Sequence, residues 1–253
     1  MFEQYPKFRP PLPPDYAKIY NEYYLCNRGG HSLASALSQT MEAWMHRQVA
    51  RDARRLGNPG PTLEIGAGTL NHLRYEPLTA PYDIVEPSVY LYQSASSLSR
   101  VRNIYQDIKC VPEDNYYSRI ISIATLEHIC ELPELVALSA LHLVAGGVFR
   151  VAIPSEGTIL WQLAQDVSTG LEFRLRHNLD YGVLRRHDHV NRAAEIEEVL
   201  SYFFAWVKRH VFGVSRRLSI YQSFVCFEPH GDRCRAYLSP HATSLSRRPD
   251  NCS

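Results

Sequence analysis

The sequence predicts an α/β fold: a doubly wound, mostly parallel sheet with helices on both faces, an N-terminal helical cap and an insertion after the fifth strand. Short apolar runs at 62–65, 82–85, 119–124 and 148–153 alternate with stretches of helical periodicity, the order expected of repeated strand–helix–strand units. The runs at 119–124 and 148–153 lack the alternation of a strand with one wet face, as parallel strands covered on both sides should. Two runs carry a carboxylate near their ends, Glu64 and Glu86, and the first leads into Gly66-Ala67-Gly68. Glycines there let backbone approach a ligand without a Cβ in the way. A strand-end acid such as Glu86 can accept from both hydroxyls of a ribose and disfavours a 2′-phosphate. The two strand ends therefore suit an adenosine-type cofactor.

The elements follow in order. The prolines within 1–14 predict an extended, stiffened arm. Tyr16, Tyr20, Tyr23 and Tyr24 fall at helix-compatible spacing over 15–25, and Arg28-Gly29-Gly30-His31 interrupts the chain. Leu33, Leu37, Met41, Trp44, Met45 and Val49 form an apolar stripe, which predicts one or two helices over 32–56. Asn58-Pro59-Gly60-Pro61 stops them and delivers the chain into the first strand. A weak helix near 71–78, a helix around 90–100, a short third strand at 101–105, a helix at 132–143 and a turn at Ala145-Gly146-Gly147 separate the remaining strands, the fifth being closed by Pro154.

Residues 155–191 are too long for a plain connection and mark an insertion with a job of its own. A helix at 193–204 shows Ile196, Val199, Leu200 and Phe203 on one face, and 206–211 and 220–227 are the final strands. Beyond Pro229 the chain turns polar, which predicts a loosely attached or disordered tail. The expected organisation is an arm and helical cap at 1–57, a main domain at 58–228 with a substrate-covering insertion at about 156–191, and a tail at 229–253.

Composition narrows the function. The formal net charge of +1 offers no broad basic surface for nucleic acid. No apolar run approaches the ~20 residues of a spanning helix. The charged, proline-rich N-terminus does not read as a signal peptide. Cys26, Cys110, Cys130, Cys226, Cys234 and Cys252 are scattered without metal or redox spacing, so reduced thiols and a cytoplasmic location are expected.

Leu63-Glu64-Ile65-Gly66-Ala67-Gly68 resembles motif I of the class I S-adenosylmethionine-dependent methyltransferases. The stretch from Asp83 to Glu86 resembles the acidic end of their second strand, and Gln106-Asp107-Ile108 the loop that meets adenine. The stretch from Ile121 to His128 resembles their fourth strand and its turn, and that from Leu143 to Phe149 the entry into the fifth. All five occur in order over 62–155; beyond them the likeness is a loose one, to small-molecule and sugar methyltransferases of bacteria.

The resemblance implies a Rossmann-like fold and S-adenosyl-L-methionine as methyl donor. It implies that Glu64, Gly66, Ala67 and Gly68 line the donor and that Glu86 holds the ribose hydroxyls. Asp107 would accept from the adenine amino group, Ile108 would pack on the ring, and the backbone of Ala124, Thr125 and Leu126 would pass the methionine part. Two departures matter. Leu70 stands where the family usually has a further glycine, and Asn71 where a dinucleotide fingerprint wants glycine or alanine, which weighs against a nicotinamide. Ala124-Thr125-Leu126-Glu127 also lacks the Asn/Asp-Pro-Pro-Tyr signature of nucleic-acid methylation.

Methyl transfer from a sulfonium is an in-line displacement whose leaving group is already activated, so alignment of the reactants is the main demand. An alcohol acceptor also has to lose a proton, and histidine suits that task near neutral pH. His128 follows the fourth strand at the edge where the methyl group should lie. His187 and His189 flank Asp188; alternate residues of an extended segment face one way, so His189 is a candidate base with His187 assisting, or the two are simply polar residues at the surface. Adjacent ligands at His187, Asp188 and His189 without a partner motif argue against a metal, and none is expected.

In the insertion, Trp161, Glu172, Arg174, Arg176, His177 and Tyr181 combine flat rings with charged donors, which fits either a glycan acceptor or a capping unit whose rings are core. The reading is a methyltransferase acting on a hydroxyl of a sugar or polysaccharide unit, with another small metabolite or a non-catalytic cofactor-binding protein as alternatives. The expected partners are a small-molecule or glycan acceptor, no nucleic acid and no membrane span, with a homodimer left open.

Overall fold

The computed structural model describes residues 2–20, 35–56, 60–77, 80–158, 161 and 170–245. For 35–41, 54–56, 171–172 and 240–245 only the backbone is described. After a helical segment over 14–20 (α1), helices α2 (Ser35–Val49) and α3 (Arg51–Leu56) lead to strands β1 (Thr62–Ile65) and β2 (Tyr82–Val85). Then come α4 (Val89–Tyr92), β3 (Ile104–Tyr105), β4 (Tyr117–Ile123), α5 (Leu132–Leu141) and β5 (Leu143–Pro154). The insertion supplies α6 (Leu171–His177) and α7 (Tyr181–Asp188). The chain closes with α8 (Ala193–Phe203), β6 (Phe204–Gly213), β7 (Ser219–Pro229) and α9 (Gly231–Leu245).

The seven strands form one sheet in the order β3-β2-β1-β4-β5-β7-β6. Pairs within β3 to β5 are parallel, and β7 runs antiparallel to both its neighbours. The order reverses between β1 and β4, so the carboxyl ends of those strands open the crevice in which such sheets hold ligands. This is the doubly wound, mostly parallel sheet with helices on both faces that the sequence predicts.

Side chains of the central strands alternate between two cores. Leu63, Ile65, Ile120, Val151 and Ile153 meet α5 and α8 on one face. Ile84, Ile121, Ile123 and Ala152 meet Met45 and Val49 of α2 on the other. A third, smaller core joins Tyr16 of α1 to Phe173 and Leu184 of the insertion.

Several elements differ from expectation for local reasons. The helix expected at 90–100 shrinks to α4 and a 3-10 turn at Leu98–Arg100, because Ser94, Ser96, Ser97 and Ser99 compete for backbone hydrogen bonds. The weak helix near 71–78 is a 3-10 turn, Asn71–Tyr75, entered through a left-handed Leu70. The glycine turn at 145–147 lies inside β5, where the pairing to β4 slips between Tyr117 and Arg119.

The expected loose tail is a correction. Residues 231–245 form α9, which packs on α5 and α8 because Cys234, Tyr237 and Leu238 share one helical face against the core. Residues 246–253 lie outside the described residues. The 1–14 arm is held along the molecule: Phe2 is buried among Tyr202, Phe203 and Tyr237. The expectation of reduced thiols holds for Cys130, Cys226 and Cys234, whereas Cys110 is disulfide-bonded. No helix among the described residues is long and apolar enough to cross a membrane.

Candidate active site

A cavity of about 930 Å³ opens over the carboxyl ends of β1, β2 and β4 and continues beneath the insertion. Its floor is the glycine turn. Gly66 has φ 71° and Gly68 φ 53°, and a Cβ on Gly66 would lie 2.3 Å from Thr125 Oγ1. No side chain fits there without moving the β4 turn. Glu86 sits at the end of β2 with both oxygens engaged: Gly68 N donates to Oε2 at 2.8 Å and Ser88 N to Oε1 at 2.9 Å. The carboxylate is thereby fixed across the mouth of the turn, with lone pairs left for further donors.

Glu64 is buried and accepts from Tyr82 Oη at 2.8 Å. Burial pushes its carboxyl up to about 8, against the Tyr82 hydrogen bond; Glu76 and Glu86 add to the rise and Arg119 opposes it. Asp107 is exposed on the cavity wall and caps the turn Ile108–Cys110 by accepting from Lys109 N at 2.9 Å, while Ile108 is buried beside it.

Glu64, Gly66, Ala67, Gly68, Glu86, Asp107, Ile108 and Ala124 all line this cavity. Leu126 does not. Its side chain is fully buried in the core and its carbonyl accepts from Asn191 Nδ2 at 2.9 Å, because the turn after β4 folds back onto α8.

The three candidate histidines also reach the cavity, by different routes. His187 and His189 are not alternate residues of an extended segment: α7 runs to Asp188, so their rings diverge. His187 donates through Nδ1 to Pro10 O at 2.6 Å and meets Tyr20 edge-on. His189 turns inward. Its Nδ1 lies 2.6 Å from Glu156 Oε2, and its ring meets His128 edge-on at 4.8 Å. Burial alone would lower the His189 pKa, but the Glu156 hydrogen bond and the Glu127 and Glu156 charges raise it. His128 Nδ1 bonds Asp188 O at 2.9 Å. The adjacent triplet His187, Asp188 and His189 is therefore split between the arm and the cavity.

Sequence reasoning missed several residues on or behind the cavity wall. Glu156 and Glu127 were indistinct among ordinary acids, yet both flank His189. Arg9 donates to the carbonyls of His128, His187 and Asp188 and pins the rim to the arm. His46 of α2 lies 3.0 Å from His72, whose Nε2 bonds Glu76 at 2.7 Å. Glu76 in turn receives two bonds from Arg119. Only the cluster's charge content, not its contacts, was visible in the sequence.

Of the insertion residues, Trp161, Tyr181 and Arg185 line the cavity, with Arg185 over the Trp161 ring at 5.3 Å. Phe173 and Leu184 are core, so the insertion is partly a capping unit as well. Tyr16 packs there and Tyr20 lines the cavity; Tyr23 and Tyr24 lie outside the described residues.

No protein-family model and no curated protein matches the sequence. Solved structures resemble its fold. The plantazolicin methyltransferase BpumL, solved with a pentazolic desmethylPZN analog and SAH, superposes with TM-score 0.54 at 14% identity over 85% of this chain and 91% of its own. An S-adenosylmethionine-dependent methyltransferase from Thermotoga maritima gives 0.51 at 14% identity over 85% and 98%. An O-methyltransferase family protein from Burkholderia thailandensis gives 0.48 at 13% identity over 76% of this chain, which spans only 56% of that protein. At such identities the likeness is one of fold, and function has to be argued from the site.

Proposed function

We propose that this protein transfers a methyl group from S-adenosyl-L-methionine to a hydroxyl of a sugar or polysaccharide unit. The observation that carries the donor half is Glu86, held by Gly68 and Ser88 across the glycine turn at the sheet's switch point. A carboxylate so placed accepts from vicinal ribose hydroxyls, and Asp107 with Ile108 offers an acceptor and an apolar wall for adenine. Glu64, neutral and buried in the free protein, takes up the amino-acid end. Bound there, the donor supplies an activated methyl group on a sulfonium.

The acceptor half rests on what lines the rest of the cavity. Trp161 and Tyr181 present faces for sugar rings, and Arg185 brings a cationic group to the same wall for phosphate or carboxylate. The hydroxyl proton has to leave at the rim, where His189 and His128 meet. A binding protein without chemistry would have no need of two imidazoles converging on one end of the donor pocket.

Calorimetry with S-adenosylhomocysteine tests the donor half. Glu86→Ala removes charged hydrogen bonds worth ~1.5–3 kcal/mol each and should weaken binding on the order of 10- to 100-fold. Wild-type affinity in that variant would refute the ribose role. His189→Ala should lower turnover on sugar acceptors with donor affinity retained; unchanged turnover would remove it from the acceptor chemistry.

A further inference from the structure

Glu127, His128 and His189 converge from two distant parts of the chain, the turn after β4 and the end of α7. One ligand-capable atom of each lies within 4.8 Å of the others, and all three residues face the cavity. Hydrogen bonding determines which ring atoms are offered. His128 Nδ1 bonds the Asp188 carbonyl, which can only accept, so Nδ1 carries the proton and Nε2 the lone pair. His189 Nδ1 bonds the Glu156 carboxylate, and Nε2 is left as the outward nitrogen by the same reasoning.

Glu127 beside them is 1% exposed, and its Oε2 finds no hydrogen-bond partner among the described residues. A buried carboxylate oxygen without a donor is costly unless a positive charge compensates it. His128 Nε2 lies 3.9 Å from Glu127 Oε1, beyond hydrogen-bond reach.

We propose that Glu127, His128 and His189 bind one divalent transition-metal cation at the rim of the cavity. Two imidazoles and a carboxylate select Zn²⁺, Mn²⁺, Fe²⁺ or Co²⁺ over the all-oxygen preferences of Mg²⁺ and Ca²⁺. The outer partners fit as well, since metal-binding histidines usually donate their other N–H to a carboxylate or carbonyl, here Glu156 and Asp188 O. Ligand atoms around an ion bonded at ~2.1 Å are ~3–3.5 Å apart, so binding draws the three side chains inward by about an ångström. Three protein ligands leave positions open toward the cavity. An acceptor hydroxyl bound there would be acidified by the ion and lose its proton to solvent water, with the imidazoles held as ligands and not as free bases. That last role rests on the methyl-transfer reading; cation binding does not.

The test uses the full chain, stripped with a chelator and exchanged into metal-free buffer. Zn²⁺ is titrated by calorimetry and Mn²⁺ by electron paramagnetic resonance, for wild type, Glu127→Gln, His128→Asn and Glu156→Gln. One saturable equivalent per wild-type chain is expected, weakened at least 10-fold by Glu127→Gln and His128→Asn, and on the order of 10- to 100-fold by the outer-sphere Glu156→Gln. Absence of saturable binding by the wild type, or unchanged binding in Glu127→Gln and His128→Asn, overturns the proposal. S-adenosylhomocysteine titrated into the same samples reports an intact fold. Donor binding without metal binding sinks the cation site alone; metal binding without donor binding sinks the methyl-transfer reading alone.

Discussion

At the scale of single residues, Leu70 shows why one departure from a motif need not disable it. It holds φ 61°, a left-handed conformation costing a leucine ~1–2 kcal/mol, yet it is only 2% exposed and packs in the core beneath α2. Truncating a buried leucine costs ~2–5 kcal/mol, so packing outweighs strain and explains how leucine is tolerated where a glycine would sit more easily. Leu70→Gly should destabilise by ~1–3 kcal/mol, because part of the packing loss is returned as relief of strain. Leu70→Ala loses the packing and keeps the strain. The alanine variant should therefore be the less stable of the two, against the usual order; denaturant midpoints giving glycine the lower stability would contradict this account.

At the scale of elements, the N-terminal arm acts as a clasp. Lys7 Nζ donates to Val190 O and pairs with Glu195, Arg9 bonds three rim carbonyls, and Tyr20 Oη donates to Asp188. These contacts hold the segment that carries His187 and His189 over the cavity. Arg9→Ala should leave donor affinity unchanged and raise amide exchange across 185–190 on the order of 10-fold, as loss of a charged donor worth ~1.5 kcal/mol implies. Unaltered protection by mass spectrometry would show that the insertion is held by its own core alone. None of this was legible in the sequence, where Arg9 was one cation in a proline-rich stretch and its partners lay more than a hundred positions away. The helices of the main domain were legible, because their apolar faces repeat within the element. The histidine geometry was not, because where α7 ends decides which way His189 turns.

At the scale of the molecule, buried ionisable groups under the glycine turn set the dependence of stability on pH. Glu76 is held down to about 2: burial alone would raise it, but the His72 and Arg119 hydrogen bonds prevail. Its stabilisation is complete above the ordinary glutamate range and lost as pH falls toward 2. His72 is lowered to about 4, chiefly by burial, so the folded state binds fewer protons than the unfolded one and stability falls as pH drops from ~6.5 to 4. Glu64 is raised to about 8 and works the other way: the folded state keeps a proton the unfolded chain has lost, and stability declines as pH rises from ~4.5 through 8. Melting temperatures should fall on both flanks. Glu64→Gln should flatten the decline between pH 6.5 and 8 while leaving the acid limb; an unchanged alkaline slope would rule Glu64 out as its source.

The sequence by itself determined the order of strands and helices, the glycine turn and the two strand-end acids. Those signals are local: periodicity, a missing Cβ and an acid at a strand's end each act within a few residues. Only the tertiary structure decided that Glu86 spans Gly68 and Ser88, that the polar C-terminal stretch docks as α9, and that Glu127 meets His128 and His189. Apart from Glu86 with Ser88 and Glu127 with His128, which are near neighbours in the chain, those contacts join segments well separated in it. The sheet's crossover and the insertion's packing bring them together, and no spacing along the chain records either.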